Sequence, residues 1–494
     1  MKSCGLFFLL ILLAVCESSF AWRSFFRGRG KHGFGEPKLS RKYQLPPDMW
    51  FTQNLDHFDP TNMQTWQQRY FVNEEFYKKD GPVFLMIGGE GKASAKWMVE
   101  GQWIEYAKQY GAMCFQLEHR FYGKSHPTPD LSVKNLVYLS SEQALADLAY
   151  FIAGIRHKYQ IPGDSKWVVF GGSYPGSLAA WARVKYPHLV HGAVSTSGPL
   201  LAQMDFQQYY VVVEEALKTH SQACVDAITN ATHQIHVMLR HRIGQMNLSE
   251  KFKLCTQIDP SKTKKNDISN LYEILASNFA EVVQYNKDNR DSSKFSNISI
   301  DTVCDILVDQ KRGIAVDRLA EVSNMMLNAS GDKCFDYKYS NMLDEMSNVS
   351  WKGEMSEGGR QWTYQTCTEF GFFQTSTAKP LLFSETFPVD FFVQQCTDIF
   401  GPRYNIHLLE NAIERTNTFY GGLQLEVTNV VYVHGSIDPW HALGITKSSN
   451  PKTPAFYING TAHCANMYPA SKQDIPELIA VRQKVGKIIG RWLN

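Results

Sequence analysis

Past its first fifteen residues the chain has no apolar run approaching the ~20 residues that a membrane-spanning helix needs, so no membrane anchor is expected. Charge excess is nearly absent as well. Fifty Lys and Arg stand against 48 Asp and Glu, a formal net charge of +2, which gives nucleic acid or an acidic surface no reason to bind. There are no internal repeats and no low-complexity tracts. None of the ten cysteines stands in a Cys-x-x-Cys pair, so the usual zinc spacing is missing. His233, His236 and His241 lack the helical spacing for three ligands and adjoin a sequon, so they read as surface residues and no metal site is expected. Gly28-Arg29-Gly30-Lys31-His32-Gly33 matches the dinucleotide fingerprint in letters only. No strand precedes it and no helix follows it, and no cofactor is expected.

The N-terminus is informative. Lys2 is followed by an apolar run from Leu6 to Val15 and then by Ser19-Phe20-Ala21, the layout of a cleaved signal peptide over residues 1–21. That predicts a secretory-pathway protein, in the endosome or lysosome lumen or secreted. Six cysteines in one stretch (Cys224, Cys255, Cys304, Cys334, Cys367, Cys396) read as disulfides in such a compartment, although spacing does not choose their pairing. Sequons at Asn230, Asn247, Asn297, Asn328, Asn348 and Asn459 predict a glycosylated surface.

Residues 22–46 are basic and poorly periodic and read as a flexible leader or propeptide, with Arg41-Lys42 as a candidate processing site. From 47 to 202 strands and helices alternate. Pro82–Ile87, Ala112–Leu117, Trp167–Phe170 and Gly192–Ser195 read as strands, and Ser140–Lys158 as a helix capped by Ser141. Residues 203–425 turn to long helical stretches, over Phe206–Leu217, Val225–Gln245, Asn266–Tyr285 and Ile314–Met326. Strands return at Val430–Val433 and Ala455–Ile458, and a last helix runs from Asp474 to Leu493. The pattern predicts an α/β domain, residues 47–202 and 426–494, interrupted by a helical, disulfide-stapled insertion.

In "VVFGGSYPGSLAAW" a buried strand, a corner at Ser173 and a helix follow one another, the setting of a nucleophile elbow, though Pro175 stands where its last glycine belongs. A serine nucleophile needs a base, and the base an orienting acid. Asp438 follows one late strand and His463 follows the next, in the order that α/β-hydrolases use. Donors for an oxyanion are expected from the backbone N–H of Tyr174 and from Gly89 and Glu90 in the loop "GGEG". Read from the residues alone, Trp362, Tyr364, Phe370 and Phe372 are core side chains, and Trp440 is tied to the Asp438 loop.

Several of these stretches occur together elsewhere. Gly88-Gly89-Glu90-Gly91, Glu118-His119-Arg120-Phe121-Tyr122-Gly123, Phe170-Gly171-Gly172-Ser173-Tyr174, Arg360 with Trp362 to Gly371, Asp438-Pro439-Trp440 and Gly460 to Cys464 stand in fixed order. From about Phe51 onward the sequence resembles the family of lysosomal Pro-Xaa carboxypeptidase and dipeptidyl peptidase II, and most of all its thymus-specific serine protease branch. The resemblance implies an α/β-hydrolase with a helical lid and Ser173, Asp438 and His463 as catalytic triad. It implies disulfides joining Cys224 to Cys304, Cys255 to Cys334 and Cys367 to Cys396, which leaves Cys114 and Cys464 as buried thiols. It also places Trp440, Trp362 and Tyr364 at the substrate. Asn466 departs from the family's frequent acidic residue after the histidine. The expected activity is that of a serine exopeptidase acting on peptides, cleaving after proline or a small residue through an acyl-enzyme, at about pH 5.5–7.5 from the ordinary histidine pKa. An esterase or lipase with the same triad, and a catalytically silent binding protein, are the alternatives; a homodimer is left open.

Overall fold

The structure is a computed structural model that describes residues 25–27, 29–30, 35–288, 290, 297–379 and 382–494. The expected signal peptide lies outside the described residues. Eight strands form one sheet: β1 Met49–Asn54, β2 Thr65–Asn73, β3 Val83–Ile87, β4 Met113–Leu117, β5 Trp167–Gly172, β6 Gly192–Thr196, β7 Val430–Gly435 and β8 Ala455–Ile458. Their spatial order is β1-β2-β4-β3-β5-β6-β7-β8, with β1–β2 and β2–β4 antiparallel and every other pairing parallel. With helices on both faces, this is the α/β-hydrolase architecture.

Residue alternation makes the two faces. Val83, Leu85 and Ile87 of β3 join one core cluster, while Phe84 and Met86 between them join the other. Strands β3 to β7 are buried throughout, as parallel strands covered on both sides must be. The second face is closed by the helices Gln102–Tyr110 and Pro476–Leu493, which the Tyr106 hydroxyl clips together by donating to the Arg482 carbonyl at 2.8 Å. The first face carries Ser141–Lys158 and Tyr174–Lys185. Ser140, not Ser141, caps the former: its hydroxyl accepts from the Gln143 N–H at 3.2 Å. Ser141 instead gives its hydroxyl to Glu369 at 2.6 Å, a contact made across 228 residues.

Between β6 and β7 the chain leaves the sheet for helices that include Gln208–Lys218, Gln222–Met238, Lys265–Gln284, Ala315–Ser330, Gly359–Gln365 and Ile406–Tyr420. The single helix expected over Val225–Gln245 is two, Gln222–Met238 and Arg242–Lys251. At the break a Cβ on Gly244 would meet the Met238 carbonyl oxygen at 2.2 Å, so only glycine permits the approach. Disulfides join Cys224 to Cys304, Cys255 to Cys334 and Cys367 to Cys396, closing separations of 80, 79 and 29 residues. Loops of that length restrict the unfolded chain by roughly 3–5 kcal/mol each in the chain-entropy account. Cys114 and Cys464 are free and buried. All six sequon asparagines are exposed, as are His233, His236 and His241. Among the described residues no helix is long and apolar enough to cross a membrane.

Candidate active site

Parallel strands aim their C-terminal ends at one edge of the sheet, and the chemistry-bearing residues gather there. β5 ends at Gly172 and the helix begins at Tyr174, so Ser173 must turn the chain alone. It does so at φ 66°, ψ −136°, a conformation that costs a non-glycine residue of order 1–3 kcal/mol. Its neighbours have no room for side chains. A Cβ on Gly172 would meet the Met467 sulfur at 2.2 Å and Cys464 Sγ at 2.9 Å; one on Gly176 would meet the Thr196 carbonyl at 2.4 Å. The corner is pinned to β6 by the Ser173 N–H, which donates to the Thr196 carbonyl at 3.0 Å. Ser173 remains partly exposed between buried neighbours.

Asp438 and His463 follow β7 and β8. The His463 Nδ1–H donates to Asp438 Oδ1 at 2.8 Å, with both side chains 0% exposed. The same carboxylate oxygen accepts the Trp440 N–H at 3.0 Å, which fixes its rotamer. The two loops touch: a Cβ on Gly435 would lie 2.2 Å from the Thr461 carbonyl. His463 Nε2 is buried and makes no hydrogen bond among the described residues. Burial disfavours the imidazolium, but the Asp438 charge and hydrogen bond, together with Cys464, outweigh it and hold the His463 pKa well above its ordinary value. Burial likewise pushes Asp438 up, and the His463 charge and hydrogen bond, with His434 and Ser197, together bring its pKa below the ordinary carboxylate value.

Comparisons with known proteins give the family. The sequence profile of the family described as serine carboxypeptidase S28 matches residues 53–485. The chain belongs to that family. It is 34% identical over 460 residues to mouse thymus-specific serine protease, covering 91% of this chain and 88% of that protein. It is 27% identical over 523 residues to bovine lysosomal Pro-X carboxypeptidase, covering 100% of this chain and 98% of that one. As a member of the S28 family the protein is a serine-type peptidase, and its substrates are peptides.

Around the corner, several of the residue runs quoted above serve as supports. A Cβ on Gly89 would sit 2.2 Å from Pro175 Cγ, so the loop after β3 rests directly on the ring that begins the Ser173 helix. Glu118, fully buried, holds that loop from below. It accepts from the Ala93 N–H at 3.0 Å, from the Ser125 hydroxyl at 2.7 Å and from the Arg69 guanidinium. Arg120 makes a two-pronged pair with Asp147, both contacts at 2.6 Å, and ties β4 to the helix Ser141–Lys158. His119 Nδ1–H donates to the Arg120 carbonyl at 2.7 Å, so its Nε2 accepts the Tyr174 hydroxyl at 3.1 Å. Burial lowers the His119 pKa to about 4, which keeps the acceptor nitrogen unprotonated.

The insertion reaches this edge through rings and one amide. Gln365 donates to the Tyr174 hydroxyl at 3.1 Å. Trp362 packs on Tyr174 at 5.8 Å between ring centroids, and Phe372 packs on Trp440 at 5.3 Å. Tyr364 does not join them. Two positions along a helix is a turn of about 200°, and its ring meets Phe400 and Tyr404 instead, at 5.3 and 5.9 Å. Gln284, at the end of the helix Lys265–Gln284, had no signal in the sequence. Its Oε1 accepts both the Tyr209 hydroxyl at 2.7 Å and Trp440 Nε1–H at 3.0 Å, and its carbonyl accepts the His463 N–H at 2.9 Å. Thr196 and Ser197 were also missed, since nothing marks "STS" as special. Thr196 Oγ1 accepts from Asn466 Nδ2 at 3.0 Å and Ser197 Oγ accepts the Cys464 N–H at 2.9 Å, so the end of β6 joins the serine corner to the histidine loop.

Proposed function

We propose that Ser173, Asp438 and His463 form the catalytic triad of a secretory-pathway exopeptidase that cleaves after proline or a small residue. The observation that carries the reading is the pairing of a serine strained at φ 66° on the end of β5 with a wholly buried His463–Asp438 pair on the same sheet edge. His463 Nε2 takes the Ser173 proton as Oγ attacks the scissile carbonyl, and later returns it to the leaving amine. Asp438 holds the ring with Nδ1 protonated and stabilises the imidazolium formed in that step. Apo hydrogen bonds between nucleophile and base are often loose and tighten with substrate. The backbone N–H groups of Tyr174 and of the Gly89–Glu90 loop supply the oxyanion donors, set in place by the Gly89–Pro175 contact.

Trp362, Phe372 and Trp440 offer ring faces for a prolyl ring on the insertion side. The name of the bovine relative, a Pro-X carboxypeptidase, supports proline on the acyl side, and its lysosomal label supports an endosomal or lysosomal lumen. Prolyl peptides blocked at the amino end, at the carboxyl end, or at both test the reading. An exopeptidase leaves the doubly blocked peptide intact and loses all hydrolysis in Ser173→Ala. Efficient cleavage of the doubly blocked peptide contradicts it.

A further inference from the structure

A basic leader has no evident reason to bury a charge, yet Arg27 is 2% exposed. Its Nη1 donates to Thr366 Oγ1 at 2.7 Å and its Nη2 to Gln395 Oε1 at 2.6 Å. The guanidinium carbon lies 5.0 Å from the centre of the Phe373 ring and 5.7 Å from that of Phe392. The Arg27 carbonyl accepts Trp362 Nε1–H at 3.2 Å. Every one of these partners belongs to the insertion. Trp362 is the ring that packs on Tyr174, next to Ser173, and Phe373 follows the Phe372 that packs on Trp440.

The pocket is furnished for a cation. It presents a hydroxyl oxygen, an amide oxygen and two ring faces, and the buried Glu273 carboxylate acts on the same charge. Burial lowers the Arg27 pKa to about 10, with Glu273 opposing it, so the side chain is charged at every pH where the enzyme works. A guanidinium buried without such partners would be strongly disfavoured.

A second anchor lies on the histidine side. Pro37 bridges to Arg290, Arg290 stacks on Tyr285 at 3.7 Å, and Tyr285 meets the His463 ring edge-on at 6.1 Å. Further along, the Gly35 carbonyl accepts Trp97 Nε1–H at 3.3 Å, Glu36 pairs with Lys96 at 2.8 Å, and the Tyr43 hydroxyl donates to Glu100 at 2.8 Å. Beyond Ser40, Arg41 and Lys42 are exposed.

We infer that Arg27 fills a cation-accepting subsite of the substrate cleft, so that the leader blocks the chain's own active site, and that cutting it free opens the subsite to a basic side chain of a peptide. This rests on the peptidase reading above. Hydrolysis of the Arg41–Lys42 bond by a trypsin-like activity consumes one water and leaves a leader held only by non-covalent contacts.

The test compares the secreted wild type, Arg27→Ala, Arg27→Glu, Arg27→Lys and wild type nicked by trypsin. The first readout is the rate of Ser173 labelling by a small fluorophosphonate, which does not depend on peptide preference. A blocked cleft reacts only for the fraction of time it is open. Arg27→Ala, Arg27→Glu and the nicked wild type are therefore expected to label ~10-fold faster or more, while Arg27→Lys stays near wild type. An uncleavable arginine peptide should slow labelling of the opened forms and leave the intact chain unchanged. Equal labelling rates across the set overturn the inference, as does an arginine peptide that protects no form. Should the Arg27 variants fail to fold, the nicked wild type alone decides. Faster labelling without cleavage of any prolyl peptide would sustain the blocked cleft and sink the proline preference. No labelling in any form would sink both.

Discussion

Replacing Gly89 by alanine places a methyl group 2.2 Å from Pro175 Cγ and 2.4 Å from its Cδ. Ordinary contact begins at 3.4 Å, so the two segments must part by roughly 1 Å. A proline ring has no rotamer by which to retreat, and Pro175 sits in the first turn of the helix that Ser173 opens. The loop carrying Gly89 and Glu90 is what moves. A displacement of ~1 Å at a catalytic group costs about 100-fold in rate, or ~2.7 kcal/mol of transition-state stabilisation. Gly89→Ala should therefore lose about 100-fold in kcat/KM, with overpacking of ~1–3 kcal/mol in stability. Pro175→Ala removes the two ring atoms in the way, and the first helical turn tolerates its restored N–H. The double variant should recover most of the loss, a coupling measurable as a double-mutant cycle with a prolyl peptide and thermal melting. Activity within threefold of wild type for Gly89→Ala, or a double variant as impaired as the single one, refutes the reasoning.

Three other outcomes follow from buried groups. His463 must be neutral to act, and its pKa is held well above the ordinary ~6.5, so kcat/KM should fall on the acid side with an apparent pKa above that value. That moves the window of about pH 5.5–7.5 expected from the sequence toward its upper end, and a maximum near pH 4 would contradict it. In stability the sign is opposite: the raised pKa of His463 contributes below the ordinary value and is lost as pH rises through its folded value. Asp288, pushed up to about 6 by burial, loses its contribution as pH climbs from about 4 through 6, and urea melts across that range should show the decline. Cys114 and Cys464 are both buried, with thiol pKa values raised by burial, so a thiol reagent should titrate neither until the protein is unfolded.

Six of the eight sheet strands were legible because apolar runs bounded by turns have few other readings. β1 and β2 were not, because Gln53, Gln68 and Arg69 are polar residues buried by partners elsewhere in the chain: Gln53 Nε2 donates to Gln68 Oε1 at 2.9 Å, and Gln68 Nε2 to the Glu118 carbonyl at 2.8 Å. The order Ser173, Asp438, His463 could be read because each residue stands within a short loop of a strand's end: Ser173 directly after Gly172, Asp438 shortly after Gly435 and His463 shortly after Ile458. Tyr364 shows the limit in the other direction. A motif names its residues without saying which face of a short helix each occupies, and Trp362 and Tyr364 face apart. Gln284 and Arg27 were invisible for a different reason. Their roles exist only once helix Lys265–Gln284 and the leader meet the rest of the chain, and no local pattern encodes that meeting.

The central claim, that Ser173 is the nucleophile, is tested most directly by labelling the trypsin-nicked protein with a fluorophosphonate and mapping the modified peptide by mass spectrometry. The account predicts a single adduct, on the peptide that contains Ser173, absent from a folded Ser173→Ala variant and abolished by denaturation before labelling. An adduct on another serine, or a folded Ser173→Ala variant that still labels and hydrolyses peptide, would contradict it.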